Sequence, residues 1–158
     1  MKQQDKTNVM RILDQKGIDY ESYSYEPDPT RTGEQIARLL GQDPEAVFKT
    51  LVTVARSGEH YVFVIPVVAE LDLKKAAKAV DEKAIEMIKQ KELLPLTGYV
   101  HGGCSPLGMK KPFVTVMDET AVLHDTICVS AGKVGFQVRL DPEALCELVP
   151  CALADLTK

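Results

Sequence analysis

The 158-residue chain lacks the features that define several broad classes of protein. Its uninterrupted apolar runs all fall short of the ~20 residues that a helix needs to span a bilayer. The first ten residues, MKQQDKTNVM, are polar and lack the apolar segment of a signal peptide. Lysine and arginine together number 19 and aspartate and glutamate 23, which argues against a uniformly basic nucleic-acid-binding domain. These absences predict a cytoplasmic protein that binds neither a membrane nor DNA.

Sequence motifs of the common catalytic and cofactor-binding sites are missing too. The chain has no phosphate-binding G-x-x-x-x-G-K-[ST] loop, no G-x-S-x-G nucleophile elbow and no metal-binding histidine pair. Its cysteines form no C-x-x-C pair, and none has a histidine at zinc-finger spacing. The cysteines and histidines are scattered along the chain: Cys104, Cys128, Cys146, Cys151, His60, His101 and His124. We therefore expect neither a metal nor a cofactor.

Two of the cysteines can be interpreted from their neighbours. Cys128 stands in an apolar run, which favours a buried free thiol. Cys104 lies in a glycine-rich segment and is a candidate nucleophile. A nucleophile needs a base within hydrogen-bond reach, and the nearness of His101 in sequence does not establish one.

Apolar residues recur at helical spacing in some segments and alternate in others. The stripe Val9, Ile12 and Leu13, closed by Gly17, predicts a helix from Asp5 to Lys16. Further helices are predicted at 33–40, 43–47, 72–80, 89–94 and 141–148. Strands are predicted at 18–25, 50–55, 61–68, 113–118, 126–132 and 135–140, including two hairpins. This interleaving predicts one mixed α/β domain over residues 1–158, of the α+β type, with a mostly antiparallel sheet.

The segment TGYVHGGCSPLGMKKP, residues 97–112, concentrates glycine near the middle of the chain. Glycine loses more conformational freedom on ordering than any other residue, so Gly102, Gly103 and Gly108 favour close approach of another group to the backbone. An ordinary turn-forming loop is the competing interpretation.

Lysines stand at three notable places. Lys49 immediately precedes an apolar strand, where it is either a strand-end charge reaching water or a ligand for an anion. The other two places hold five lysines: the helix lysines Lys74, Lys75 and Lys78 and the loop lysines Lys110 and Lys111. They either belong to solvated surfaces or form one basic patch on an acidic protein.

Four segments occur in a characteristic order: VFKTLV, ELDLKKAAKAV, TGYVHGGCSPLGMKKP and TICVSAGKVGF. In this order and spacing they resemble the YbaK family, the free-standing relatives of the editing domain of bacterial prolyl-tRNA synthetase. The resemblance extends over residues 6–155. It implies a mostly antiparallel, partly barrel-like sheet surrounded by helices, which agrees with the pattern-based prediction.

The resemblance also implies a task, the hydrolysis of amino acids wrongly attached to tRNA(Pro). Cys-tRNA(Pro) is the typical substrate of the family and Ala-tRNA(Pro) that of other branches. The segments ELDLKK, GGCSPLG and VSAGKVG are more similar to the cysteine branch. Prolyl-tRNA synthetase is the implied partner, since the family often takes its tRNA selection from that complex. An Ala-tRNA(Pro) deacylase and a non-catalytic tRNA- or synthetase-binding module remain alternatives.

Site residues follow from the resemblance position by position. Lys49 and Gly102 take the catalytic positions, with Lys49 holding the terminal adenosine and its phosphate rather than attacking. The implied substrate-binding residues are Tyr25, stacking on adenine, together with Thr50, Gly103 and Ser130. Gln137 stands where some relatives carry an acidic residue, and the pocket rim at 30–33 is shorter than in relatives.

The resemblance implies two further properties of the glycine-rich segment and of the chemistry. Backbone amides of Gly102 and Gly103 would approach the ester and stabilise its developing oxyanion, with Lys110 and Lys111 near tRNA phosphates. No protein nucleophile is required, because the thiol of the wrongly attached cysteine attacks its own ester while the enzyme holds it in place.

Overall fold

The computed structural model describes residues 6–158. Its α-helices are α1 (Asn8–Gln15), α2 (Gly33–Leu39), α3 (Leu73–Ala79), α4 (Leu93–Thr97) and α5 (Pro142–Leu148). Its strands are β1 (Glu21–Ser24), β2 (Phe48–Ala55), β3 (His60–Pro66), β4 (Ile85–Met87), β5 (Val114–Asp118), β6 (Ile127–Ser130), β7 (Phe136–Leu140) and β8 (Cys151–Ala154). Short 3-10 helices occupy Pro44–Ala46, Gln90–Glu92 and Glu119–Leu123. Within residues 6–158, every helix is too short or too polar to cross a bilayer.

Capping side chains mark the beginnings of the helices. Thr7 Oγ1 accepts the N–H of Met10 at 3.2 Å and starts α1. Thr32 forms a reciprocal capping box with Gln35 at the start of α2. Asp72 caps α3 by accepting the N–H groups of Lys74 and Lys75, and Asp141 caps α5 by accepting the N–H of Glu143. The predicted helices at 33–40, 72–80 and 141–148 are confirmed. The one at 43–47 is a 3-10 helix, and the one at 89–94 is a 3-10 helix that leads into α4. α1 begins at residue 8, and its predicted start at residue 5 lies outside the described residues.

Both predicted hairpins are present. In the β2–β3 hairpin Lys49 lies opposite Ile65, and in the β6–β7 hairpin Ser130 lies opposite Gln137. β1 is shorter than predicted and pairs with β7 in antiparallel orientation.

The strands form two sheets, with the orders β1-β7-β6 and β4-β2-β3-β5-β8. Two ladders of the larger sheet, β3–β5 and β5–β8, are parallel, and the remaining ladders of residues 6–158 are antiparallel. The prediction of a mixed, mostly antiparallel sheet is confirmed. Strands β4 and β8 were not predicted, because they are three and four residues long and show no clear alternation.

A single parallel bridge between Val47 and Cys128 joins the two sheets. The first half of β2 therefore faces β6, while its second half pairs with β4. This change of partner curls the sheets around a common core without closing a barrel in the described chain. The large core cluster between them contains residues from α1, β2, β3, β6 and β7 and from the segment 99–107.

The helix lysines and loop lysines do not form the single basic patch considered from the sequence. Val64 of β3 belongs to the core cluster that contains Leu107 of the glycine-rich segment. Its neighbour Phe63 belongs to a different cluster, which contains Ala76 of α3. Because adjacent residues of a strand point to opposite faces of a sheet, α3 and the glycine-rich segment lie on opposite sides. Lys75 is also paired, at 2.9 Å, with Asp155.

Candidate active site

The register of the small sheet brings several predicted site residues to one face. Ser130 and Tyr23 both lie directly opposite Gln137 on its two neighbouring strands, and directly opposed residues share a face. Tyr25 follows Tyr23 by two residues, and its N–H donates to the carbonyl of Gly135 at 2.9 Å. Side chains two residues apart on an extended chain point the same way. Tyr25, Ser130 and Gln137 therefore share one face.

Lys49 joins this face through the bridge between the two sheets. Val47 and Cys128 are paired in parallel, and Lys49 and Ser130 each follow their bridge residue by two positions. The same alternation therefore turns both side chains toward the face on which Val47 meets Cys128. We call Lys49, Tyr25, Ser130 and Gln137 the site face.

The charge of Lys49 is half-buried and has no anionic partner. Burial lowers its pKa, and the carboxylate of Glu70 acts in the opposite direction. Glu70 forms its ion pair with Lys158, at 3.2 Å. Within residues 6–158, no carboxylate lies close enough to Lys49 for a salt bridge. A cation that is partly removed from water and unpaired is suited to bind an anion.

Gln137 is held in place by a residue that the sequence did not single out. Its side chain is buried, and its Oε1 accepts a hydrogen bond from Gln42 Nε2 at 2.8 Å. Gln42 follows α2, whose Ala37 packs against Val47 and Cys128. No local pattern marks Gln42, because its partner lies 95 residues away in the sequence.

The start of α2 forms the rim beside the site face. A Cβ on Gly33 would lie 2.8 Å from Val67 Cγ1, so the first turn of α2 approaches Val67 as closely as glycine allows. Asp28 accepts hydrogen bonds from the N–H and hydroxyl of Thr30, at 2.9 and 2.6 Å. The shorter rim segment is thus an ordered turn leading into a capped helix.

The glycine-rich segment packs on the turn between β6 and β7. A Cβ on Gly103 would lie 2.9 Å from the backbone nitrogen of Val134, which leaves no room for a side chain. A Cβ on Gly135 of the same turn would lie 2.9 Å from the carbonyl oxygen of Tyr25. The turn therefore contacts both the glycine-rich segment and Tyr25. The interpretation of close backbone approach is correct for Gly103, and the approaching group is this turn.

Gly102 and Gly103 differ in what they offer a substrate. The Gly103 N–H donates to the carbonyl of Val100 at 2.9 Å, so it is not free to bind an oxyanion as expected. Gly102 is exposed, has a φ of +87°, and has only Val134 Cγ2, at 3.8 Å, near a built Cβ. Its N–H has no protein acceptor within the described chain. The expected pair of amide donors is reduced to Gly102.

The geometry does not support a substrate contact for Thr50. Its neighbours Phe48 and Val52, two positions away on either side, belong to the large core cluster. Alternation therefore turns Thr50 away from the site face. Its hydroxyl is buried and has no hydrogen-bond partner in the described chain.

The cysteines are all free thiols, and none is placed as a nucleophile. Cys104 is buried, and burial raises its pKa to about 12, so it stays protonated at neutral pH. The prediction of a buried thiol at Cys128 is confirmed, and burial raises its pKa to about 11. Cys146 and Cys151 lie in contact with each other, away from the site face. In residues 6–158 no group of three or more acidic, cysteine or histidine side chains is placed to hold a metal ion.

Comparison with known protein families assigns the chain to a family. Residues 27–148 match the model of the aminoacyl-tRNA editing domain. The chain belongs to the aminoacyl-tRNA editing domain family. The match covers every residue of the glycine-rich segment and all of the predicted site residues except Tyr25, which lies two residues before it.

Individual relatives agree with this assignment. The editing domain is 45% identical over 157 residues to EbsC of Enterococcus faecalis, provisionally named a Cys-tRNA(Pro)/Cys-tRNA(Cys) deacylase, covering 99% of this chain and 96% of that protein. A solved structure, provisionally described as a trans-editing enzyme for prolyl-tRNA synthetase, is 26% identical with a TM-score of 0.80, covering 95% and 96% of the two chains. A hypothetical protein, 24% identical with a TM-score of 0.86 over 95% and 99% of the chains, shares the fold.

The comparisons confirm the family resemblance and the expected editing deacylase. They also confirm the expected fold. The structure brings Lys49, Tyr25 and Ser130 to one face and Gly103 against the adjoining turn, and it leaves Thr50 apart. Their individual roles in the reaction stay predictions.

Proposed function

We propose that this editing domain hydrolyses Cys-tRNA(Pro), with Lys49 binding the 3′ end of the tRNA. The observation that carries the proposal is the half-buried, unpaired ammonium of Lys49 on the same face as Tyr25 and Ser130. The name of the 45% identical relative supports cysteine as the amino acid removed. Cys-tRNA(Cys) in that name is consistent with a pocket that recognises the cysteine more than the tRNA body.

Each residue of the proposed site has a separate task. Lys49 neutralises the phosphate of the terminal nucleotide, and Tyr25 stacks on its adenine. The Ser130 hydroxyl offers a hydrogen bond to the ribose or to the amino acid. The free N–H of Gly102 stabilises the negative charge that develops on the ester oxygen. Gly103 has a supporting task, because it lets the segment rest on the β6–β7 turn.

The proposed chemistry uses the substrate's own thiol. Its sulfur attacks the ester carbonyl and forms a C–S bond, and the C–O bond to the ribose breaks. The ribose oxygen leaves with the proton that the thiol gave up. Water then opens the cyclic thioester and releases cysteine. Holding the thiol against the carbonyl supplies the rate gain, which is why the site functions without a protein nucleophile.

The proposed role implies a partner protein and a location in the cell. We propose that prolyl-tRNA synthetase presents the mischarged tRNA, a proposal supported by the description of the 26% identical structure. Because charged tRNA is made and used in the cytoplasm, the same role places the protein there. With acidic residues in excess of basic ones, the domain's own affinity for tRNA is expected to be weak.

The proposal is tested by incubating the purified protein with Cys-, Ala- and Pro-tRNA(Pro) side by side and measuring the charged tRNA that remains. We expect rapid loss of Cys-tRNA(Pro) only, and no loss with the variant Lys49→Ala. Preferential loss of Ala-tRNA(Pro) would support the alanine branch. Binding of tRNA without loss of any of the three esters would support a non-catalytic module.

A further inference from the structure

The thiols of Cys146 and Cys151 lie 3.1 Å apart, sulfur to sulfur. Cys146 belongs to the last turn of α5, and Cys151 is the first residue of β8. The chain reverses between them through Val149 and Pro150, so the two sulfurs close a very short loop. Both side chains are partly accessible, whereas Cys104 and Cys128 are buried.

We propose that Cys146 and Cys151 form a redox-active pair, which a peroxide oxidises to an intramolecular disulfide. A disulfide bond is about 2.0 Å long, so the sulfurs must approach each other by about 1 Å. Rotation of the two side chains can supply such a movement while α5 and β8 stay in place. The pairing needs no residue of the site face and does not depend on the proposed substrate.

The oxidation balances with hydrogen peroxide as the oxidant. One thiolate attacks a peroxide oxygen, giving a sulfenic acid and water. The second thiol then attacks the sulfenic sulfur, forming the S–S bond and releasing a second water. In total, two thiols lose two protons and two electrons, and one peroxide takes them up to become two waters.

The surroundings of the pair indicate a slow reaction. Burial, reinforced by the hydrogen bond to Cys146, raises the pKa of the Cys151 thiol. A thiol that keeps its proton reacts slowly, so the pair is expected to respond to sustained oxidation rather than to a brief pulse. Cys104 and Cys128 are expected to react more slowly still, because both side chains are buried and closed to peroxide.

The disulfide would join two elements beside the glycine-rich segment. Cys151 pairs with Thr115 of β5, and Thr115, Leu148 and Val149 line a groove together with Pro106 and Leu107. Oxidation would therefore hold α5 and β8 together at the turn between them, which forms one wall of this groove.

The test uses the full chain, reduced and then exposed to hydrogen peroxide, alkylated under denaturing conditions and digested with trypsin. Cleavage after Arg139 releases residues 140–158 as one peptide containing both cysteines and no internal lysine or arginine. We expect this peptide to lose two hydrogens and to take up no alkyl group. Reduction with dithiothreitol should restore two alkylation sites, while Cys104 and Cys128 remain alkylated throughout.

Two single variants serve as controls. Cys146→Ser and Cys151→Ser should each abolish the loss of two hydrogens. The proposal is overturned if the wild-type peptide stays fully alkylated after prolonged peroxide treatment. It is equally overturned if the remaining cysteine of either variant forms a disulfide with Cys104 or Cys128 at the wild-type rate, because the contact would then not select the partner.

Discussion

At the scale of single residues, Lys49 combines properties that stability alone would not favour. Its ammonium is half-buried and unpaired, and burial lowers its pKa. A group whose pKa is lower in the folded protein than in the unfolded chain destabilises the fold while it is charged. Lysine at this position therefore has a cost in stability that binding of an anion would offset.

Replacing Lys49 by methionine should separate stability from activity. We expect Lys49→Met to lose deacylation while its melting temperature at pH 7 equals or exceeds that of the wild type. The stability difference should shrink as the pH rises toward 10.5, the ordinary lysine value, because the wild-type lysine then loses its proton in both states. Thermal melts from pH 7 to 10.5 and deacylation rates measure both effects.

The matched control is Lys78→Met, a change at an exposed position of α3. It should leave both the melting temperature and the activity near the wild-type values. Wild-type activity of a folded Lys49→Met protein would remove Lys49 from the site.

At the scale of elements, the contact between the glycine-rich segment and the β6–β7 turn connects the site face to the rest of the molecule. The segment is fixed from within as well, because the Tyr99 hydroxyl donates to the carbonyl of Leu107 and the Lys110 N–H donates to that of Thr97. The position of Gly102 therefore depends on how closely Gly103 approaches the turn.

Alanine at Gly102 and at Gly103 should have different effects. Gly103→Ala places a Cβ 2.9 Å from a backbone nitrogen, so we expect a loss of about 1–3 kcal/mol of stability and reduced deacylation as the segment shifts. A Cβ at Gly102 would make only an ordinary contact, 3.8 Å from Val134 Cγ2, so Gly102→Ala should cost about 1 kcal/mol through its φ of +87° alone. Denaturant unfolding measures the stability of both variants, and deacylation rates measure their activity. Equal stability of Gly103→Ala and wild type would contradict the described packing.

Local patterns predicted the elements better than they predicted the pairing of those elements. The caps at Asp72 and Asp141 and the two hairpins depend on neighbours within a few residues, and all were predictable. The parallel pairing of β5 with β3 and β8 depends on contacts distant in sequence, which short apolar runs do not specify.

The site shows the same division. Lys49 and the glycine-rich segment could be singled out from residue type and neighbours. Gln42 could not, because only folding brings it to Gln137. The sequence did not show that alternation along β2 turns Thr50 into the core, so its expected substrate contact stays a prediction that the geometry does not support. The site residues were assigned from the family resemblance. Only the strand register showed which of them lie on the same face.

At the scale of the whole molecule, the five lysines are divided between two sides of the larger sheet. The loop lysines adjoin the segment that contains Gly102. The helix lysines lie on the other side of the larger sheet, toward which Lys49 also points, because Lys49 pairs with Ile65 of the α3 cluster. A tRNA end that enters beside Gly102 is expected to contact the loop lysines first.

Salt dependence of tRNA binding should distinguish the two groups. Each lysine–phosphate contact contributes about one to the slope of log affinity against log salt, so Lys110→Ala with Lys111→Ala should reduce the slope by up to about two. Lys74→Ala with Lys78→Ala should leave it nearly unchanged. Titrations between low and moderate salt measure both slopes. A smaller slope for the helix-lysine variant alone would indicate that the tRNA binds along α3 instead of beside the loop lysines.

The central claim is that the substrate's thiol, and no protein side chain, attacks the ester. The most direct measurement compares deacylation of Cys-tRNA(Pro), S-alkylated Cys-tRNA(Pro) and Ser-tRNA(Pro) by a folded variant in which Cys104, Cys128, Cys146 and Cys151 are replaced by serine or alanine. We expect this variant to remove cysteine at nearly the wild-type rate and to leave the alkylated ester intact. It should act much more slowly on the serine ester, because a hydroxyl supplies almost no anion near neutral pH. Efficient hydrolysis of the alkylated or serine ester would contradict the central claim and would indicate a water activated within the site.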